Sequence, residues 1–411
     1  MSHSNLLIIG FVLPEPKSSA AGSRMLQLIR LFQKQGYAIT FATTANDSDK
    51  AFDLNSIGVK ITKIELNNAS FDEFVKDLEP DVVVFDRFMT EEQFGWRVAE
   101  HCPNTIRILD TEDFHGLRKG RGEAIKNHED FSLKYLQNDT TKREIASIYR
   151  SDLSLIISEV EIEILTKQLK VDNNLLCYLP FLQEPISGIE IEILPEFEKR
   201  QHFITIGNFL HPPNFDAVLH LKQNIWPLIK KQLPEAEMHL YGAYESQKVS
   251  QLNNKKEGFI IKGFAEDVNA TMQSARVCLA PLRYGAGLKG KLIDAMKNGT
   301  PSVMSSIAAE GMFGNYEVAG LVDDSPSRFA QKSIDLYQDK NKWNKKQNAG
   351  FNIINQRFNV SNFTSDFAEK IAYLFKNLVT HRQQNFTGQL LMHHYLQSTK
   401  YMSKWIEEKN K

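Results

Sequence analysis

The stretch PLRYGAGLKGKLIDAMKNGTPSV, from Pro281 to Val303, decides the fold of this chain. An apolar run over Val277–Leu282 leads into it and is typical of a buried strand. A glycine-rich loop at 284–287 follows, then an amphipathic helix that ends at Gly299, then a second apolar run. Strand, loop, helix and strand make a βαβ unit. Because a helix N-terminus behind such a loop offers free backbone N–H groups, the pattern predicts a phosphate-binding site.

Three basic residues lie in or beside this loop. Arg283 precedes the glycines, and we place Lys289 and Lys291 in the first turn of the predicted helix. Lysines at that end oppose the helix dipole, so a bound polyanion is the reason that we expect for them. Two solvated lysines beside a turn are the ordinary alternative.

The glycines also allow a second interpretation. Gly285–Gly290 matches the dinucleotide-binding pattern G-x-G-x-x-G letter for letter. An NAD site would also need an acidic residue at the end of the next strand, where the chain has Met304 and Ser305. Glu310 comes several residues later, inside the following loop. An NAD-linked oxidoreductase is therefore the less favoured alternative.

The composition is that of a globular protein with more than one domain. The chain has 411 residues, 42% of them hydrophobic, and its 49 basic and 50 acidic residues leave a net charge of −1. That balance argues against a general nucleic-acid-binding protein. The three cysteines are scattered and form no C-x-x-C pair, so we expect neither a disulfide framework nor a cysteine zinc site. With no signal-peptide pattern and no apolar run of about 18 residues, we expect a cytoplasmic protein.

The order of apolar runs predicts two α/β domains and a tail. The first domain covers 1–185, and a polar stretch with two prolines at 186–200 predicts a linker. The pattern of strands and helices then restarts over 201–380. Residues 381–411 predict an amphipathic tail that packs on another part of the protein. Its apolar residues are Leu390, Leu391, Tyr395, Leu396, Met402, Trp405 and Ile406.

Polar residues follow two predicted strands of the first domain. Gly22 and Arg24 belong to the small-residue loop behind the first strand, and Asp110, Asp113 and His115 follow a later one. Because ligands bind at the carboxyl ends of parallel strands, both groups predict a binding site at this edge of the sheet. An ordinary βα turn and N-capping of the next helix are the alternatives.

Three further patterns have ordinary explanations that we favour. Asp47 and Asp49 form a D-x-D pair, but they lie in a polar loop with no buried strand beside them, so we expect solvated side chains and no metal. The basic helical stretch Arg118–Arg150 is a possible contact for anionic lipid, although we favour a solvated helix pair. His393 and His394 are adjacent and would point apart on a helix, which favours a surface role over a metal site.

The quoted stretch resembles the donor-binding motif of retaining GT-B glycosyltransferases of the bacterial group 1 (family four) type. ITIGNFLHPPNFDAV at 204–218 and IIKGFAEDVNATM at 260–272 are similar to the nucleotide-binding domain of the same family. The resemblance implies two Rossmann-like domains that face one cleft, and a tail that crosses back to the first domain. It implies transfer of a sugar from a UDP- or GDP-sugar to an acceptor hydroxyl, with retention and without metal or cofactor. The acceptor would be a glycan or a glycolipid intermediate of bacterial cell-surface polysaccharide synthesis, with possible peripheral contact at the inner membrane face.

The resemblance also implies roles for single residues. In the family two glutamates lie eight positions apart, the first at the donor sugar and the second at the ribose. Here Ala286 takes the first position and Asp294 the second, which leaves open a nucleotide-sugar-binding protein without catalysis. The implied catalytic groups are Lys289, Lys291 and His115. The implied donor-binding residues are Gly207, Asn208, Arg283, Gly287, Asp294, Glu310, Gly311 and Met312, and the acceptor-side residues are Gly22, Arg24, Asp110 and Asp113.

Overall fold

The computed structural model describes residues 4–409, apart from the side chains of Tyr395 and Leu396. Two parallel β-sheets succeed one another along the chain, each covered by helices, and two long helices follow them. The predicted fold class, two Rossmann-like α/β domains with a helical tail, is confirmed.

The N-terminal sheet has seven parallel strands. They are β1 (Asn5–Gly10), β2 (Ala38–Thr43), β3 (Lys60–Lys63), β4 (Val82–Asp86), β5 (Ile106–Asp110), β6 (Leu153–Ile156) and β7 (Leu176–Tyr178). The helices between them are α1 (Ala20–Lys34), α2 (Ser70–Leu78), α3 (Arg87–His101), α4 (His115–Lys126), α5 (Leu133–Leu136), α6 (Asp139–Arg150) and α7 (Glu159–Glu163). Across the sheet the order is β3-β2-β1-β4-β5-β6-β7.

Helices on both faces explain why the central strands are apolar throughout. Leu6 and Ile8 of β1 belong to the core on one face of the sheet, and Leu7 and Ile9 belong to the core on the other. Successive side chains of a strand point to opposite faces, so a strand buried on both sides must be a continuous apolar run.

The C-terminal sheet has six parallel strands. They are β8 (Gln201–Ile206), β9 (Met238–Tyr241), β10 (Phe259–Gly263), β11 (Ala275–Ala280), β12 (Ser302–Met304) and β13 (Gly320–Val322), in the order β10-β9-β8-β11-β12-β13. A short helix α8 (Gly188–Glu192) precedes this sheet. The remaining helices of the domain are α9 (Pro212–His220), α10 (Trp226–Gln232), α11 (Gln247–Ser250), α12 (Val268–Ser274), α13 (Gly290–Lys297), α14 (Ser306–Ala309), α15 (Pro326–Gln338) and α16 (Lys340–Gln356).

The return to the N-terminal domain begins earlier than we predicted. Helix α17 (Ser361–Gln384) carries Phe367, Ile371 and Leu374 into the core formed by β1, α1 and their neighbours. The predicted boundary at residue 380 therefore lies about twenty residues too late, because the first part of the return is as apolar as a domain helix. The last helix, α18 (Phe386–Lys409), lies against α3 and α6.

Ion pairs with the N-terminal domain hold this tail in place. The Arg382 guanidinium of α17 binds the Asp152 carboxylate at 2.7 and 2.8 Å, and the Arg97 guanidinium of α3 binds the Glu407 carboxylate of α18. Arg97 also donates to Ser403 on α18 at 3.0 Å. The predicted apolar residues Tyr395 and Leu396 lie outside the described side chains.

The basic stretch, for which we favoured a solvated helix pair, forms the helices α4 and α6 with the short helix α5 between them. Its break follows Asn127, after which His128 takes a left-handed backbone. Six of its eight basic residues form ion pairs with carboxylates: Arg118, Arg121, Lys134, Lys142, Arg143 and Arg150. The stretch is thus a largely neutralised group of helices and not an open basic surface. Within residues 4–409 no helix combines the length and the hydropathy that a membrane span needs.

Candidate functional site in the interdomain cleft

Both sheets reverse their strand order at one point, and these points define a cleft. The order changes direction between β1 and β4 in the first sheet and between β8 and β11 in the second. In open α/β sheets, ligands bind beyond the carboxyl ends of strands at such a point. The two edges face each other, because Tyr244 beyond β9 donates to Glu15 beyond β1 at 2.6 and 2.8 Å.

The glycine loop has a different geometry from the predicted one. Helix α13 begins at Gly290, so Lys289 is its N-cap residue with extended backbone and does not lie in the first turn. The Lys289 side chain is buried, and its ammonium donates to the carbonyl oxygens of Ala286 at 3.1 Å and Gly287 at 2.6 Å. Burial lowers the pKa of Lys289 to about 8, while nearby Glu310 and Glu161 raise it. Lys289 therefore holds the loop in shape.

Lys291 lies in the first turn of α13, as predicted, and faces the loop after β8. Its ammonium donates to the Asn214 Oδ1 atom at 3.0 Å, and the Asn214 amide donates to the Asn208 carbonyl at 3.0 Å. A Cβ atom on Gly207 would lie 2.7 Å from the Asn214 Nδ2 atom, so this loop needs a glycine there. Burial lowers the pKa of Lys291 to about 8. The predicted residues Gly207, Asn208 and Lys291 are thus brought together, with Asn214 as the link that the sequence analysis missed.

Asp294 lies one turn further along α13 and is half-buried. Burial raises the pKa of its carboxyl group to about 6, and only Lys297 opposes this among the charges identified. Among the described residues, its carboxylate has no hydrogen-bond donor and no cation at ion-pair distance. The Asp294 carboxylate is therefore free to accept hydrogen bonds, one helical turn from Lys291.

Arg283 and Glu310 are already paired. The Arg283 guanidinium binds the Asp216 carboxylate on α9, with one nitrogen–oxygen distance of 2.9 Å. Glu310 accepts two hydrogen bonds from Arg121 of the N-terminal domain, at 2.7 and 2.8 Å. Arg121 donates further to the Gly285 carbonyl at 2.9 Å. In this closed conformation both predicted donor contacts are occupied, and Arg121 joins the two domains across the glycine loop.

Gly311 and Met312 lie behind the loop and not in front of it. The Gly311 carbonyl accepts from Arg357 at 2.9 Å. The Met312 side chain is fully buried, its N–H donates to the Ala309 carbonyl at 3.1 Å, and its sulfur accepts from the Lys289 N–H at 3.3 Å. The prediction that the Met312 N–H contacts a donor is wrong for this conformation, because a short turn already uses that group.

Glu161 binds the glycine loop from the opposite domain. Its Oε1 atom accepts from the Gly287 N–H at 2.7 Å and from the Phe114 N–H at 2.9 Å, and its Oε2 atom is buried without a partner. Burial, with Asp113 nearby, raises the pKa of Glu161 to about 7. The Gly287 N–H that we predicted for a phosphate is therefore held by a carboxylate. The neighbouring Ala286 packs into the core of the N-terminal domain.

The N-terminal side of the cleft carries a charged cluster around His115. The His115 Nδ1 atom lies 3.2 Å from Asp113 Oδ1 and 3.2 Å from Glu144 Oε1. Burial opposes charge on this imidazole, but the two carboxylates prevail and raise the pKa of His115. Burial likewise opposes charge on Asp113, whose pKa is nevertheless lowered by Arg118, His115 and the nearby His211. The pKa shifts of Asp113 and His115 thus both favour the charged form at the cleft.

His211 is the functional candidate that the sequence analysis missed. It begins the turn into α9, and burial together with Arg118 lowers the pKa of its imidazole to about 4. Electrostatic interactions with Asp113 and His115 on one side and Lys291 on the other place it between the two domains. A neutral imidazole there can donate or accept a hydrogen bond at any physiological pH. The signal was present in the quoted loop, where the chain reads Leu210-His211-Pro212.

Arg24, Asp110 and Gly22 are structural residues in this conformation. The Arg24 guanidinium binds the Asp110 carboxylate at 2.8 and 3.0 Å and the Leu179 carbonyl at 2.7 Å. Arg24 and Asp110 are at most 1% exposed, so neither reaches an acceptor directly. A Cβ atom on Gly22 would lie 2.4 Å from the backbone of Glu15, so this glycine allows the loop after β1 to approach α1. The predicted acceptor-side role is not supported for these three residues.

Strained backbone marks two further residues at the same edge. Arg87 after β4 and Glu112 after β5 have φ angles of 71° and 64°, in the left-handed region that favours glycine. Such strain persists where the surrounding structure imposes it, often at functional sites. Burial raises the pKa of Glu112 well above its usual value, with Asp110 adding to the effect. Residue types in the sequence give no sign of left-handed backbone at an arginine or a glutamate.

Comparison with known proteins finds sequence similarity within the C-terminal domain. Residues 200–339 match the sequence model of the family described as "Glycosyl transferases group 1". An uncharacterised 44.6 kDa protein in the cps region of Klebsiella pneumoniae is 23% identical over 136 residues, which are 31% of this chain and 35% of that protein.

Solved structures resemble the whole chain. HepE from Anabaena, in complex with UDP and glucose, has a TM-score of 0.68 and 12% identity, and the match covers 90% of this chain and 100% of that one. TarM from S. aureus, in complex with fondaparinux, α-GlcNAc-glycerol and UDP, has a TM-score of 0.57 and 14% identity over 74% of this chain. This match spans 58% of TarM. At these identities the likeness establishes the fold.

The loop after β8, the glycine loop after β11 and helix α13 all lie within the segment that the family model matches. The predicted resemblance is therefore confirmed: this chain has the GT-B fold, and its residues 200–339 are similar to the group 1 glycosyltransferases.

Proposed function

We propose that the protein transfers a sugar from a UDP- or GDP-sugar to an acceptor hydroxyl. The observation that carries the proposal is that α13 presents both the Lys291 ammonium and the unpaired Asp294 carboxylate. Lys291, linked through Asn214 to the loop after β8, offers an ammonium where a diphosphate would sit. Asp294, one turn further along, offers an unpaired carboxylate for ribose hydroxyls. The spacing of these two groups on one helix fits a nucleoside diphosphate.

The reaction needs charge stabilisation at the leaving group. The bond between the anomeric carbon and the diphosphate oxygen breaks, the acceptor oxygen bonds to the same carbon, and the acceptor proton moves to the diphosphate. Lys291 is largely protonated at pH 7, since its pKa is about 8, and it would stabilise the charge that develops on the diphosphate. We keep retention of the anomeric configuration as a proposal, and the resemblance to retaining enzymes supports it.

The acceptor would bind against the N-terminal side of the cleft. The neighbouring side chains of Asp113 and His115 can orient acceptor hydroxyls, and the neutral His211 can bridge acceptor and donor. Glu112 would provide a further carboxyl group at this edge. Because Glu310, Gly285 and Gly287 are engaged by Arg121 and Glu161, donor binding would have to displace or rearrange these interdomain contacts.

We propose a reaction without metal or cofactor. Asp47 forms an ion pair with Lys63 at 2.7 Å, and both Asp47 and Asp49 are exposed beside β2, which supports solvated side chains. Transfer activity should survive saturating EDTA. Complete loss on chelation, restored by manganese but not by magnesium or zinc alone, would instead require a metal at the diphosphate.

We propose a glycan or a lipid-linked intermediate of bacterial cell-surface polysaccharide as the acceptor. The relative in the Klebsiella cps region and the glycan-related ligands of TarM support this class. We also propose peripheral contact at the inner membrane face. An exposed apolar row on α18 supports this part: Phe386, Leu390, Tyr401 and Trp405.

A ligand panel followed by an activity assay tests the proposal. Thermal shifts with UDP, GDP, their nucleosides and NADH should show stabilisation by one nucleoside diphosphate and none by NADH. The sugar nucleotide of that base should then be hydrolysed slowly without acceptor. Binding without any hydrolysis or transfer would favour a nucleotide-sugar-binding protein, in agreement with Ala286 at the position of the usual first acid. Stabilisation by NADH alone would reject the glycosyltransferase.

A further inference from the structure

Two histidines and a glutamate meet at the edge of the C-terminal sheet that faces away from the cleft. His202 is the second residue of β8, His239 the second residue of β9, and Glu237 immediately precedes β9. The two strands are neighbours, with Phe203 paired to Met238. Gly207, at the cleft, follows the other end of β8, roughly 16 Å away at 3.3 Å per residue. The group therefore belongs to neither the donor nor the acceptor site.

The three side chains point their ligand atoms at one another. The His239 Nε2 atom lies 2.7 Å and the His202 Nε2 atom 3.9 Å from the Glu237 Oε2 atom, and all three atoms lie within 4.8 Å of one another. The imidazole centroids are 4.9 Å apart. Around a tetrahedral ion with bonds of about 2.0–2.1 Å, ligand atoms are about 3.4 Å apart. Small side-chain rotations would bring the observed distances to that value.

An irregular backbone positions one of the ligands. His202 has a φ angle of 64°, and it drops out of the pairing of β8 with β11, in which Gln201 pairs with Ala275 and Phe203 with Val277. Its N–H donates instead to the Tyr337 hydroxyl at 3.1 Å. This departure from regular strand geometry sets the His202 ring beside His239 on the adjacent strand.

We propose that His202, Glu237 and His239 bind zinc or another borderline divalent transition ion. Two imidazoles and a carboxylate are a donor set that such ions prefer, and the half-exposed position leaves a fourth place for water. The ion would join the start of β8 to the start of β9 and stabilise the C-terminal domain. This site is independent of the proposed transfer reaction.

The present hydrogen bonds of the two rings show what an ion would displace. The His239 Nε2 atom lies 2.7 Å from the Glu237 Oε2 atom. His202 at present accepts from the Glu237 N–H through Nδ1 at 3.3 Å. Binding through Nε2 would move the ring proton to Nδ1 and give up this long hydrogen bond.

Nearby cations limit the expected affinity without filling the site. Lys230 is bound to the carbonyls of Pro234 and Ala236, and the Arg276 guanidinium lies over the rings of Phe197 and Tyr337. Lys262 is exposed and close enough to lower the pKa of both histidines. Their repulsion opposes a dication, so we expect a dissociation constant in the micromolar range that tightens as salt screens the cations.

The test uses the untagged full chain after chelator treatment. Cobalt(II) should give the visible absorption of a tetrahedral site with one ion per chain, and zinc should displace it and raise the melting temperature. His202→Gln and His239→Gln should each weaken zinc binding at least tenfold. The control His220→Gln changes a histidine of the same domain outside the group and should bind as the native protein does.

Three results would overturn the proposal. They are no zinc binding to the native protein, equal zinc binding by all three variants, and zinc binding that leaves the melting temperature of the native protein unchanged. The melting temperature of each variant without zinc shows whether it is folded. Nucleoside-diphosphate binding, measured in parallel, reports on the proposed function separately.

Discussion

Replacing the single residue Asp294 should weaken donor binding without lowering the stability of the protein. The Asp294 carboxylate is half-buried one helical turn from Lys291, and burial raises its pKa to about 6. If it accepts hydrogen bonds from ribose hydroxyls, Asp294→Asn should raise the donor KM about 10- to 100-fold, since such bonds contribute about 1.5–3 kcal/mol. The melting temperature should not fall, because the native carboxylate has no partner to lose and its burial disfavours the charged form.

The ribose itself provides the control for Asp294. A 2′-deoxy donor should bind poorly to the native protein and lose little more on mutation. Donor affinity of the native protein should also fall as pH decreases through about 6, where the carboxylate becomes protonated, and the Asn variant should lack this dependence. A mutant that treats ribo- and deoxyribonucleotides as the native protein does would show that Asp294 is not a ribose ligand.

Lys291 should discriminate between a nucleotide and its nucleoside. Its ammonium is held by Asn214 at the predicted diphosphate position, and Lys297 on the same helix is exposed and further from the loop. Lys291→Ala should weaken binding of the nucleoside diphosphate at least tenfold and leave the nucleoside nearly unaffected. Lys297→Ala is the matched control for helix charge. Equal losses for diphosphate and nucleoside, measured by calorimetry, would remove Lys291 from the phosphate site.

Helix α7 contacts the glycine loop through Glu161, and we expect the contribution of this contact to stability to depend on pH. Glu161 has a pKa of about 7 in the folded protein, raised by burial from about 4.5. A raised carboxyl pKa means that the folded state binds more protons than the unfolded state. The contribution of Glu161 to the free energy of unfolding is therefore greatest below about pH 4.5 and decreases as pH rises to about 7. The change is on the order of 3 kcal/mol for a shift of this size. Glu161→Gln should flatten the decrease of melting temperature with pH in that window.

The same helix supplies a control. Glu163 is exposed and pairs with Lys167, so Glu163→Gln should leave the pH dependence of melting unchanged. A glutamine at 161 can still accept from the Gly287 N–H, so the variant should fold and close. If native protein and Glu161→Gln melt with the same pH dependence, the carboxyl does not titrate in this interval.

The elements were largely predictable, and the contacts between them were not. The apolar run before the glycine loop and the restart after residue 200 follow local periodicity, and both are present as β11 and β8. The start of α13 was displaced by a few residues because Lys289 caps the helix from a buried position. Arg121–Glu310 and Glu161–Gly287 join residues more than 120 positions apart, and no spacing in the sequence connects them.

Among the candidate site residues, too, local motifs were predictable and contacts between distant residues were not. The sequence could predict Lys291, Asp294, Gly207 and Asn208 as site residues because they belong to one motif or its neighbouring loop. Arg24 and Asp110 looked functional because they are charged and follow strands, but they satisfy each other in the core.

On the scale of the whole molecule, the proposed membrane contact depends on the last helix. Helix α18 packs one face on α3 and α6 and leaves Phe386, Leu390, Tyr401 and Trp405 exposed on the other. Aromatic side chains with nearby lysines are typical of a surface that lies in the headgroup region of a membrane. Lys404 and Lys409 are exposed on the same helix and would favour anionic lipid.

Vesicle binding tests this orientation. The native protein should float with vesicles that contain phosphatidylglycerol and less with pure phosphatidylcholine, and high salt should weaken the anionic contribution. Tyr401→Ser combined with Trp405→Ser removes two exposed rings without touching the packed face, so binding should fall at least fivefold while melting stays unchanged. Ile193→Ser is the matched control, because Ile193 is also exposed but lies in the linker. Failure to bind either vesicle, or dimers in light scattering that the double variant dissociates, would assign the apolar row to contact between two copies of the chain.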